Sequence, residues 1–196
     1  MKSKHLAAII GISFTLIITA CGGGSSSSND TGATIQPGKT TYNTDTFSVQ
    51  IPKDWETLEK NSFTSNVPPE TIVVFRNNIK NDIFTANVNI AQKALSQKIT
   101  VKDFAKSNLE ILKNNLIGYQ LLNEKEDKIN FGKDSLPTYK TEVEGKKSAS
   151  ERIMHFRQVY VINNNIMYTV TATYLPNEDE SVGNALGEIL DSFVLK

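Results

Sequence analysis

Few side chains in this sequence could do covalent or metal chemistry. The chain of 196 residues has one cysteine, Cys21, and two histidines, His5 and His155. A metal site needs several imidazole, thiolate or carboxylate ligands converging on one point, and beyond the amino terminus His155 is the only imidazole. It reads as a structural or surface histidine. A serine nucleophile would want a base and an orienting acid; His155 is the only histidine base on offer and no Gly-x-Ser-x-Gly elbow occurs. The 21 acids allow many carboxylate pairs of the kind that hydrolyse glycosides, yet no spacing selects two of them. Glu178-Asp179-Glu180 could offer oxygens to calcium but lacks the EF-hand spacing and its glycine. Those acids fit better in the first turn of a helix, where they complement its dipole. Glycine-rich phosphate-binding patterns are absent. Trp55, shortly after Pro52, reads as a core anchor rather than a stacking platform, and Lys146-Lys147 beside Gly145 reads as a solvated loop. No catalytic, cofactor-binding or metal-ligating residue is assigned, no cofactor is expected, and the reading is of a non-enzymatic protein.

Charge narrows the partners. Lys plus Arg equals Asp plus Glu, 21 against 21, so no strong field draws the chain to nucleic acid. A length of 196 residues suits one domain with a full core once the ends are discounted.

At the amino terminus, Met1-Lys2-Ser3-Lys4-His5 is basic, and Leu6 to Ala20 follows as a largely apolar run, the pattern of an export signal. About 15 residues fall short of the roughly 20 that span a bilayer as a helix. The run ends in Ile18-Thr19-Ala20-Cys21, which resembles the lipobox of bacterial lipoproteins. That resemblance implies cleavage between Ala20 and Cys21, with diacylglycerol on the Cys21 sulfur and an acyl group such as palmitate on its amine. Several acyl chains, at about 0.8 kcal/mol per buried methylene, make such an anchor effectively permanent. The expected location is the cell membrane or outer membrane, with the domain lipid-anchored on the non-cytoplasmic side. The division is then residues 1–20 as signal peptide, 21–40 as a lipidated, Gly/Ser-rich flexible tether, and 41–196 as the globular domain. Roughly 18 tether residues reach about 21 to 25 Å on average.

The elements of the domain follow from period. Phe47 to Ile51 alternates and stops at Pro52; Thr71 to Phe75 is β-branched and aromatic; Ile83 to Ile90 puts Phe84, Ala86, Val88 and Ile90 on one face and Thr85, Asn87 and Asn89 on a face expected to be wet. Thr100 with Asp103 opens a helix like a capping box, and Val101, Phe104, Ala105, Leu109, Leu112 and Leu116 form its stripe before Gly118. Tyr119 to Glu124, Lys128 to Phe131 and Thr138 to Val143 read as separate strands with turns at Gly132 and Pro137. Ile153 to Ile162 and Ile166 to Tyr174 flank Asn163-Asn164-Asn165, a hairpin signal. Val182, Ala185, Leu186, Ile189 and Phe193 make the stripe of a last helix. The sum is α+β, an antiparallel sheet with two helices packed on it.

In order along the chain, Phe47-Ser48-Val49-Gln50-Ile51-Pro52-Lys53-Asp54-Trp55, the turn from Gly132 to Pro137, the strands Arg157 to Val161 and Tyr168 to Thr173, and the closing Ile189-Leu190-Asp191-Ser192-Phe193 resemble the PsbP-like proteins. That group includes extrinsic photosystem subunits and DcrB-type bacterial lipoproteins. The resemblance implies a central antiparallel sheet flanked by helices, an α/β/α sandwich, in a family whose members mostly dock on other proteins. Thr46 stands where those proteins often have glycine, and no metal-binding histidine set can be matched. The expected function is a membrane-anchored interaction module with an envelope protein partner. The alternatives are an envelope enzyme using carboxylates, which predicts convergent acids with raised pKa values, and a carrier of a small apolar ligand, which predicts a closed apolar cavity.

Overall fold

Phe47, Val49 and Ile51 alternate with Ser48 and Gln50, and that period of two becomes strand β2 (Phe47–Pro52), its apolar members buried. The computed structural model describes residues 38–63, 67–78 and 84–196. Ahead of β2 lies β1 (Lys39–Asn43), and after it come β3 (Glu56–Glu59), a short 3-10 turn (Lys60–Ser62), β4 (Thr71–Arg76) and β5 (Asn87–Ala94). Helix α1 (Val101–Asn115) is followed by β6 (Ile117–Phe131), β7 (Asp134–Lys146), β8 (Met154–Asn163), β9 (Ile166–Tyr174), α2 (Glu180–Asp191) and β10 (Val194–Leu195).

The strands join in one sheet in the order β1-β2-β10-β6-β7-β8-β9-β5-β4-β3. All neighbours are antiparallel except β10 and β6, which meet in parallel at Leu195 and Phe131. The expected α/β/α sandwich does not form. Among the described residues the sheet curls into a half-barrel of ten strands with two α-helices. Its inner face is covered largely by its own strands: Phe47 on β2, Phe75 on β4, Tyr168 on β9 and Phe193 beside β10 share one core cluster. Ten twisted strands cannot stay flat, and curling buries apolar area that a helical layer would otherwise have to cover.

Each helix packs on a different side. Val182, Leu186, Ile189 and Leu190 of α2 join the inner cluster. Val101, Phe104 and Ala105 of α1 pack outside on Tyr139, Tyr160 and Met167, while Leu109 and Leu112 pack on Val143 and Phe156. Thr100 caps α1 where the sequence placed its start, its Oγ1 accepting from Asp103 N–H at 3.1 Å; the Asp103 carboxylate accepts from the Thr100 hydroxyl at 2.7 Å, in place of the backbone N–H that a full capping box engages. Asp179 caps α2 through Ser181 N–H at 2.8 Å.

The late hairpin forms as read, with Asn164 at φ 49° and Asn165 at φ 62°, the left-handed pair that a tight hairpin demands. Elsewhere boundaries moved. Tyr119 to Glu124 and Lys128 to Phe131 are one strand, because the charged residues between them keep pairing with β7. Pro137 is not a turn but lies inside β7 opposite Lys128. Asn87 and Asn89 are fully buried rather than wet. The outer face of β5 is therefore covered, which the polarity of its residues does not reveal.

Candidate functional site

α2 packs on β2, β5 and β9, and its Gly187 faces β8, where a Cβ would stand 4.0 Å from Arg157 Nη1. This leaves a pocket of about 190 Å³ whose lining includes Lys125, Lys140, Glu142, Arg157 and Asp191. Its ions are mostly spent on one another. Lys140 Nζ lies 3.0 Å from both Asp127 and Asp191, and Arg157 Nε donates to Glu142 at 3.0 Å while its guanidinium sits 5.3 Å from the centre of the Tyr174 ring. Burial pulls the Lys140 ammonium down, but hydrogen bonds to Asp191 and Asp127 outweigh it and raise its pKa. The Lys128 backbone N–H, then Lys140, hold Asp127 below the usual carboxylate range. Glu124 is lowered by Lys106 and Asp179 by the Ser181 hydroxyl. The carboxyls displaced from their ordinary values are thus displaced towards the anion, the wrong direction for a general acid.

The residues weighed from sequence do not converge. His155 Nε2 is 3.6 Å from Glu144 and its ring meets Tyr174 edge-on. Trp55 is buried in the inner core. Lys146 Nζ donates to the Ala149 carbonyl at 3.1 Å, and burial lowers the pKa of Lys147. Among the described residues no three His, Cys, Asp or Glu side chains gather as a metal would require, and no helix is long and apolar enough to cross a membrane. Ala20, Cys21 and the tether lie outside the described residues.

Sequence reading missed the feature that stands out on the surface. Among the described residues the exposed large hydrophobics are Ile117, Leu121, Leu122 and Ile153, each 42–50% exposed. Ile117 opens β6 opposite Lys146 and Ile153 directly precedes β8, so these two share the end of the sheet where β6 and β8 begin, with Leu121 and Leu122 further along β6. β6 pairs with β7 along its length, but among the described residues its other side meets a strand only at Phe131. Its acids are neutralised from behind, Glu124 by Lys106, Glu126 by Lys102 and Asp127 by Lys140. Lys125 and Lys128 make no ion pair among the described residues. The signal available in sequence was the run Glu124-Lys125-Glu126-Asp127-Lys128, since charge inside a strand marks a sheet edge.

No family model matches the chain, and no curated protein matches it. Solved structures do. The cyanobacterial PsbP of Synechocystis superposes with a TM-score of 0.61 at 15% identity, covering 86% of this chain and 98% of that one. LpqN of Mycobacterium tuberculosis, described as involved in cell envelope biogenesis, gives 0.58 at 14% identity, covering 81% and 90%. A Pseudomonas aeruginosa protein of unknown function, described as a putative regulator, gives 0.53 at 16%, covering 81% and 97%. At these identities the likeness is one of fold: the chain carries the PsbP-like domain fold.

Proposed function

We propose that this protein is a lipid-anchored, non-enzymatic PsbP-like module that docks on a protein of the bacterial cell envelope. Exposed Ile117 and Ile153 at one end of the sheet, with Leu121 and Leu122 further along β6, carry the reading, because large apolar side chains held out in water mark a contact surface. The anchor rests on Ile18-Thr19-Ala20-Cys21 and the Gly/Ser-rich stretch behind it. The envelope setting draws support from the likeness in fold to LpqN, described as acting in cell envelope biogenesis. Glu124 and Asp127, held towards the anion, are poorly suited to act as general acids, and the pocket beside Gly187 has Lys125, Lys140, Glu142, Arg157 and Asp191 among its walls, unlike the closed apolar cavity that a carrier of a small apolar ligand needs.

A pull-down from detergent-solubilised envelopes tests the docking. The native protein is expected to recover a defined partner that the double variant Ile117→Asp/Ile153→Asp does not. Equal recovery by both, or turnover of a cell-wall substrate by the purified protein, sinks the reading. Intact-mass measurement tests the anchor: the mature chain is expected to begin at Cys21 with acyl additions, and a mass without them overturns it.

A further inference from the structure

We infer that the open edge of β6 receives an extended, acidic segment of the partner as an added strand. This rests on the docking reading above and names the chemistry of what docks. From Gly118 to Asn130 that edge has no neighbouring strand among the described residues, and a row of unpaired backbone donors and acceptors is a template for strand addition. Irregularities between Ile117 and Gln120 and between Leu121 and Asn123 break the early part, so the regular template runs from Asn123 to Asn130.

Charge selects the occupant. The β6 acids face Lys102, Lys106 and Lys140, lysines of α1 and β7. What remains for an incoming strand is Lys125, opposite Lys140 on the inner face, and Lys128, opposite Pro137 on the outer face. Beside Lys125, in the same pocket, Arg157 uses Nε on Glu142, and its terminal nitrogens make no hydrogen bond among the described residues. Edge lysines usually guard against pairing, since an apolar or basic strand must desolvate or oppose them. A segment with acids on both faces meets the same lysines as partners. The guard therefore acts as a filter, closing the edge to like edges while leaving it open to acidic ones.

The test uses the full chain in detergent and two blocked peptides of about eight residues, one of glutamate and valine with acids on both faces, the other with lysine for glutamate. The acidic peptide is expected to bind and to slow amide exchange at alternate residues between Asn123 and Asn130, an effect that weakens with salt. Lys125→Glu/Lys128→Glu is expected to weaken it by about three- to tenfold, as for two exposed pairs, and to favour the basic peptide. Binding without β6 protection, equal binding of both peptides, or no binding at millimolar peptide overturns the inference. Protection of β6 that rises with protein concentration alone overturns it too, because the occupant is then a second copy of the chain. If the peptides fail while Ile117→Asp/Ile153→Asp still abolishes partner capture, docking stands and the strand mode falls; if both fail, docking falls with it.

Discussion

Tyr42 Oη donates a hydrogen bond to Glu59 Oε1 at 3.2 Å, tying β1 to β3, the two strands at opposite ends of the ten-strand order. The Tyr42 ring also meets Phe75 of β4 edge-on, with centroids 5.3 Å apart. The curl of the sheet thus brings its two edges within side-chain reach, and this seam gives a pH signature. Burial, and next the Glu59 charge, push the Tyr42 hydroxyl up to about 12. The folded state then holds that proton more tightly than the unfolded chain, whose tyrosines titrate near 10. The contribution is full below about pH 10 and is lost as pH rises towards about 12. Tyr42→Phe should flatten that part of the loss, leaving the shares of Tyr174, which burial also raises to about 12, and of Tyr160, which burial raises as well. Guanidinium midpoints measured from pH 8 to pH 11.5 check it; identical slopes for both proteins would rule out Tyr42 as a source.

Tyr160 ties α1 to the outer face. Its hydroxyl accepts from Asn108 Nδ2 at 2.5 Å and donates to Gln158 Oε1 at 2.7 Å, and Gln158 Nε2 reaches Thr171 Oγ1 at 3.3 Å. All four residues are buried. Tyr160→Phe keeps the ring and strands a buried donor and acceptor, so it should cost about 1–3 kcal/mol. Urea unfolding should show a lower midpoint with unchanged slope; an unmoved midpoint refutes the network's role.

Gly145 permits the junction of α1 and β6. A Cβ there would lie 2.8 Å from Leu116 Cβ, an atom fixed to the backbone that no rotamer change can move. Gly145→Ala is expected to destabilise by about 1–3 kcal/mol, as overpacking does, with faster amide exchange around Leu116. Full stability in the alanine variant would show that the junction yields freely.

The exposed end should behave as surface and not as core. Ile117→Asp and Ile153→Asp ought to leave stability within about 0.5 kcal/mol while reducing the binding of a hydrophobic dye. A large loss of stability would mean that these side chains are structural.

Local pattern was enough for what depends on near neighbours. The Thr100 cap, the stripe of α1, the Asn164-Asn165 turn and the inward face of Tyr168, Val170, Ala172 and Tyr174 were all legible, because backbone hydrogen bonding and period two or 3.6 are short-range constraints. So was the likeness to PsbP-like proteins, read from the order of Phe47–Trp55 and the later strands. Contacts between distant residues were not legible. Lys125 to Asp127 looked like a break between strands, since nothing nearby in sequence says that Glu124, Glu126 and Asp127 are answered by lysines of α1 and β7. Nor could alternation tell that Asn87 and Asn89 are covered, or that two helices would lie on a curled sheet rather than form the layers of a sandwich. Curl is the summed twist of ten strands, and which edge stays open depends on β10 being only two residues long. The residue types of β6 are written in the sequence; that they face an open edge was decided only by the tertiary pairing that leaves β10 touching β6 at Phe131.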